Sequence, residues 1–274
     1  LGRRAVAGFT MLEIAICLAI IAFALVAIIG VLPFGMGVQR DNRQETIINQ
    51  EASVFLDAIR NGQSGLDDLT NYITRIEVKR TRFQVTTNNK VLLTNVIFGP
   101  LSSTYVNDFA NSRFELTNGF WIVGLLSAPR IYRTNEVGYF DSNYVVAYCR
   151  SMSGPAVEKV PQSNPDVMDQ ALTYRLIPEI MPYWEFDTTW TNKGLDAGGQ
   201  FRAFSRNLYG NLYNVRLSFR WPYSQARTNG ASVQVFRTLS SGSVKAVQML
   251  PDTSDASRPS NLFFFQPRTF QKAS

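Results

Sequence analysis

The sequence predicts an α+β chain: a long N-terminal helix that spans a membrane and then packs, by its second half, on a β-rich C-terminal domain. Three observations carry that prediction. Positions 14–39 hold no charged residue and are rich in Ile, Ala, Leu and Val. Directly downstream, Ile48, Ala52, Phe55, Leu56 and Ile59 recur at the spacing of one helix face. Beyond Gly62 the pattern changes to alternation with period two between turns rich in Gly, Ser and Asn.

The uncharged run sets the first element. At ~1.5 Å per residue it extends about 39 Å as a helix, more than the roughly 30 Å hydrocarbon core of a bilayer. Arg3 and Arg4 precede it, and by the positive-inside rule they hold that end in the cytoplasm and send the C-terminal bulk outward. Gly30, Pro33, Gly35 and Gly37 cluster near its outer end. A proline inside a helix removes a backbone hydrogen bond and clashes with the preceding turn, so a kink or melted stretch is expected at residues 29–33, with Gly30 and Pro33 responsible. In the amphipathic half, Gln50, Glu51, Asp57 and Arg60 fill the polar positions, and Asn61-Gly62 supplies the stop.

The remainder reads as mostly β. Residues 114–117 and 120–126 flank Asn118-Gly119, the signature of a hairpin on a tight turn. Val215, Leu217, Phe219 and Trp221 alternate with Asn214, Arg216, Ser218 and Arg220, a strand with one wet face. Residues 232–239 and 243–249, joined by Ser-Ser-Gly, suggest a second hairpin, and 144–149 and 172–177 are further strands. Residues 67–73 form one short helix, and the Ser/Pro/Gly-rich 151–169 and Gly/Asp-rich 191–200 are long surface loops. Leu262-Phe263-Phe264-Phe265 reads either as a last strand tucked into the core or as an exposed sticky segment.

Composition narrows the chemistry. Histidine is absent, which excludes His-dependent triads and His metal sites. The two cysteines, Cys17 in the apolar run and Cys149 in a strand, are not expected to pair, and Cys149 suits a small buried hydrophobe. The net charge of +6 is mild and dispersed along the chain, a solvated surface rather than a nucleic-acid footprint. Arg202, Arg206, Arg216, Arg220 and Arg227 lie among aromatics, an interleaving that can bind single strands. A sheet face with arginine covering aromatic edges accounts for the same residues, so nucleic acid is an unlikely partner. No phosphate loop, nucleophile elbow or paired CxxC occurs, and no enzymatic activity or cofactor is expected. Ca²⁺ would be the one candidate ion, through Asp67-Asp68 or Asp252 with Asp255, but these spacings match no defined loop and suit ordinary turns.

The N-terminal order is more specific. A secretory signal is cut after its apolar region, whereas here the only junction of a small residue with the apolar stretch, Gly8-Phe9, lies before it. Glu13 then sits one turn into a segment that avoids charge. An isolated acid deep in a bilayer costs roughly 2.5–3.5 kcal/mol, so it snorkels to the headgroups or has a partner. If cleavage frees the amine of Phe9, that cation and Glu13 are complementary between adjacent helices.

Arg3-Arg4, then Gly8-Phe9-Thr10-Met11-Leu12-Glu13 and about 20 apolar residues, resemble the class III leader of type IV pilins and type II secretion pseudopilins. The stretch AFALVAIIGVLPFGM is similar to that of minor pilins and I-type pseudopilins. The resemblance implies a leader over residues 1–8, cleavage after Gly8 by a prepilin peptidase, methylation of Phe9, and a Glu13 contact that seats each subunit in a filament. It implies a helix over 9–61, membrane-spanning at about 9–38 and amphipathic at about 42–61, and a periplasmic β-rich domain over 62–274. The implied partners are the peptidase, other pilin or pseudopilin subunits and an inner-membrane assembly platform, with the chain a single-pass inner-membrane protein. The competing expectation is a signal-anchored extracytoplasmic binding module, for a ligand or nucleic acid, that never polymerises.

Overall fold

The computed structural model describes residues 10–62, 66–84, 96–108, 113–133, 139–153, 171–183, 208, 210–223, 232–248 and 261–270. The chain divides into two compact units, Leu1–Ile47 and Ile48–Ser274. The division falls inside the first helix, α1 (Met11–Asn61), so the amphipathic half belongs to the β-rich unit.

In the first unit α1 is unbroken through Gly30 and Pro33. Of the kink or melting expected at residues 29–33, the helix shows no melting. A helix-interior proline costs about 3 kcal/mol relative to alanine, and the regular turns on both sides outweigh it. A Cβ added at Gly30, Gly35 or Gly37 would meet nothing within 4 Å, so packing inside this chain does not require these glycines.

The second unit is built on an antiparallel sheet. Its strands are β1 (Ile73–Gln84), β2 (Val96–Asp108), β3 (Arg113–Phe114), β4 (Ile131–Arg133), β5 (Tyr139–Arg150), β6 (Thr173–Pro182), β7 (Leu212–Trp221) and β8 (Ser232–Ser241). They lie in the order β3-β2-β1-β5-β6-β7-β8, with β4 also paired to β5. Strand β7 shows the alternation expected of it: Val215, Leu217, Phe219 and Trp221 are buried, while Arg220 is exposed. The register slips between Ile73 and Arg75 of β1, so Ile73, Ile76 and Val78 all face inward although the first two are three residues apart. The inner face also carries a bidentate ion pair, with Arg82 Nε 2.7 Å from Asp141 Oδ1 and Arg82 Nη2 3.1 Å from Oδ2.

The second half of α1 closes this core as its periodicity predicts. Ile48, Ala52, Phe55 and Ile59 are buried, Leu56 is partly buried, and Phe55 meets Phe219 with ring centroids 6.3 Å apart. Each such side chain contributes roughly 1.5–3 kcal/mol when withdrawn from water. The helix ends at Gly62, whose φ of +56° suits glycine; a Cβ there would overlap the Phe265 carbonyl oxygen.

Two predicted hairpins are corrected. Residues 119–126 are a helix, α2 (Gly119–Leu126), and not the second arm of a hairpin. Asn118 caps it: its backbone is extended, and its side chain accepts a hydrogen bond from the Trp121 amide at 3.1 Å. Asn-Gly signals a hairpin only between alternating strands, and Asn is equally a strong helix cap. The run from Ile122 to Leu126 is buried throughout, and such a continuous apolar run does not distinguish strand from helix. The second correction concerns β8 and β9 (Ser243–Gln248). They are not a hairpin pair, because β9 pairs with β10 (Asn261–Gln266) in a separate two-stranded sheet. Gly242, at φ +107°, turns the chain out of the main sheet.

The other elements agree with expectation. Residues 67–71 form a 3₁₀ turn, η1 (Asp67–Asn71), and 144–149 and 172–177 fall in β5 and β6. Of the two readings of residues 262–265, the buried strand holds: all four side chains of β10 are buried, with Phe264 stacked on Phe120 at 4.3 Å. The loop at 151–169, past Ser153, and that at 191–200 lie outside the described residues.

Candidate functional site

Gly8 and Phe9 lie outside the described residues. Glu13 lies in the first turn of α1, and its amide donates to Thr10 Oγ1 at 3.3 Å. Thr10-x-x-Glu13 has the spacing of a capping box, in which a threonine satisfies an orphan amide and an acid three residues on complements the helix dipole. The Thr-x-x-Glu spacing that encodes this local role is legible in the sequence. Downstream, the large apolar residues from Met11 to Val38 whose side chains are described are exposed, and an 18-residue stretch of the helix reaches a mean hydropathy of 3.2. It is the one described helix long and apolar enough to cross a membrane.

The residue that sequence reasoning misplaced is Glu51. Assigned to the wet face, it is instead 2% exposed. Its Oε1 accepts the Met152 amide at 2.8 Å and the Ser153 amide at 3.4 Å, and its Oε2 accepts the Tyr174 hydroxyl. One carboxyl group thus ties the helix to β6 and to the chain leaving β5. The signal was available: Glu51 stands three residues after Ile48 and four before Phe55, within the apolar stripe itself.

Burial governs the electrostatics of this cluster. It raises the Glu51 carboxyl from 4.5 to about 7, and the bonds from Tyr174, Met152 and Ser153 offset only part of that rise. Burial likewise pushes the Cys149 thiol well up, with Glu51 adding to it. The Tyr174 hydroxyl is pushed up by burial and then by its neighbours Cys149 and Glu51. Cys149 is thus the small buried residue expected, and both cysteines are free thiols. The three groups are buried, and their hydrogen bonds hold the helix, β6 and the chain leaving β5 together.

Of the remaining candidates, Asp252 and Asp255 lie outside the described residues, and Asp67 serves the fold. Asp67 Oδ1 accepts the Gly119 amide at 2.9 Å, joining η1 to the start of α2, and no cluster of metal-ligating side chains occurs among the described residues. The arginines that cover aromatics on the outer sheet face are not the expected ones: the Arg75 guanidinium carbon lies 3.9 Å from the Tyr148 ring centre and that of Arg175 lies 5.9 Å from Tyr223. Arg216 pairs with Glu179 at 3.2 Å, while Arg202, Arg206 and Arg227 lie outside the described residues.

Fold and site together define an α+β protein: one apolar N-terminal helix fit to anchor a chain or to serve as its signal, continuing into an antiparallel β unit that encloses a buried carboxyl latch. No family model, curated protein or solved structure matches this chain.

Proposed function

We propose that this chain is a structural subunit of a filament, a minor pilin or pseudopilin of a type IV pilus or type II secretion-like assembly, and performs no catalysis. The observation that carries the reading is the order of the N-terminal residues: Arg3-Arg4, Gly8-Phe9, Glu13, then the uncharged run. A helix that leaves sixteen large apolar side chains between Met11 and Val38 exposed supports it, because such a surface needs lipid or neighbouring helices to cover it. On this reading a prepilin peptidase removes residues 1–8, and the mature chain crosses the inner membrane once with its β unit in the periplasm. An assembly platform then passes it to other pilin or pseudopilin subunits.

The capping geometry favours a second reading, a signal-anchored binding module that does not polymerise. The Glu13 amide is already satisfied by Thr10 within the helix, so a role inside this chain alone accounts for the Thr10-x-x-Glu13 spacing. Sequencing the N-terminus of the membrane-extracted protein separates the two. The filament reading expects Phe9 first, with its amine methylated. Retention of Arg3 and Arg4 in the mature chain refutes it.

A further inference from the structure

The sequence suggested dispersed charge, but the outer face of the sheet gathers it. Arg75 and Lys79 on β1, Arg175 on β6, Arg216 and Arg220 on β7, and Arg237 on β8 alternate with inward-facing residues such as Val78, Leu176, Leu217 and Phe219. Among the described residues of these strands only Glu77 and Glu179 oppose them on that face. The register sharpens the imbalance, because Arg175 stands directly opposite Arg220, and Arg216 directly opposite Arg237. Like charges directly opposed across antiparallel strands, with Cβ atoms about 5 Å apart, destabilise a sheet. Glu179 answers Arg216 at 3.2 Å, but Arg220 and Arg237 are exposed and have no ion pair among the described residues.

Beside these arginines lies an aliphatic stripe. Val233, Val235 and Leu239 of β8 are 51%, 38% and 48% exposed, and Met181 of β6 is 40% exposed. Val233 is paired with Arg220, and Arg237 stands between Val235 and Leu239. Strand β8 ends the described sheet, so its far edge carries no described partner.

We propose that the outer face of β6–β8 is a docking surface for a protein partner that presents carboxylates alternating with aliphatic side chains. Paired guanidiniums match carboxylates bidentately, and arginine around an apolar centre is the composition of protein interfaces. A second copy does not fit, because two such faces repel. Single-stranded nucleic acid fits poorly, because Tyr148 and Tyr223 pack on each other at 4.9 Å under Arg75 and Arg175 and offer no free ring for a base. The surface does not depend on whether the chain polymerises.

The test uses the full chain in uncharged detergent micelles and a fluorescent peptide of alternating valine and glutamate, with binding read by anisotropy. The expected result is binding that weakens with salt, falls about tenfold or more in the Arg220→Glu/Arg237→Glu double variant and several-fold in Val235→Ser, and is unchanged in Arg40→Glu/Arg43→Glu. No binding, or equal binding by the double variant, overturns the proposal. So does tighter binding, through the same arginines, of single-stranded DNA or of phosphatidylglycerol vesicles. Arg220→Gln provides an independent check: relief of the like-charge pair raises Tm, and a lowered Tm shows that Arg220 serves the sheet and overturns the argument.

Discussion

Replacing Glu51 by glutamine should remove most of the pH dependence of this protein's stability between pH 5 and 8. The folded carboxyl is raised from 4.5 to about 7, so across that window the folded chain holds a proton that the unfolded chain has released. Stability is therefore highest below pH 4.5, declines as the pH climbs towards about 7, and is level above it. At 1.36 kcal/mol per pH unit the decline amounts to about 3 kcal/mol, and in a unit of this size each kcal/mol moves Tm by roughly 2–4 °C. About 2.5 kcal/mol of this falls between pH 5 and pH 8, so wild type should melt roughly 5–10 °C lower at pH 8 than at pH 5 by this group alone. Glutamine keeps the shape and an oxygen for the Met152 amide but carries no charge at either pH. Thermal unfolding of both full-length proteins in uncharged detergent, followed by near-ultraviolet circular dichroism at pH 5 and pH 8, isolates the effect as a difference of differences. Parallel pH profiles for the two proteins would refute the argument, because they would show that Glu51 titrates alike in the folded and unfolded chains.

Three further outcomes follow from named contacts. On the filament reading, Glu13→Gln should leave membrane insertion intact and reduce cross-linking to neighbouring subunits, whereas Thr10→Val, which removes only the cap, should leave cross-linking unchanged and cost about 1 kcal/mol of helix stability. Equal loss of cross-linking in both variants would assign Glu13 to capping alone. Asn118→Ala should lower the stability of the β unit by about 0.5–2 kcal/mol, measured by denaturant unfolding, and a stability equal to wild type would show that Asn118 does not cap α2. Gly62→Ala should destabilise by more than about 1 kcal/mol, because the left-handed φ and the overlap with the Phe265 carbonyl oxygen act together; a stability equal to wild type would show that the helix end shifts freely.

What the sequence by itself determined is whatever depends on a period or on a local order of chemical types. The uncharged run, the stripe from Ile48 to Ile59 and the alternation in β7 are one-dimensional patterns tied to helix and strand geometry, and the structure reproduces each. The ordered series Gly8, Phe9, Glu13 is of the same kind, which is why the proposed function rests on it. Tertiary structure decided the rest. β1 escaped period-two reading because its bulge places Ile73 and Ile76 on one face, and a bulge exists only against a partner strand. The Asn118-Gly119 segment became a capped helix because Ile122–Leu126 needed a core on every side, and β9 joined β10 because Gly242 turned it there. Glu51 is the clearest case. Its place in the apolar stripe was readable, but a buried carboxyl is tolerable only where the Met152 and Ser153 amides and the Tyr174 hydroxyl, from more than a hundred positions away, converge on it. Convergence of that kind is a property of the folded chain, since no local sequence pattern encodes which distant donors will meet.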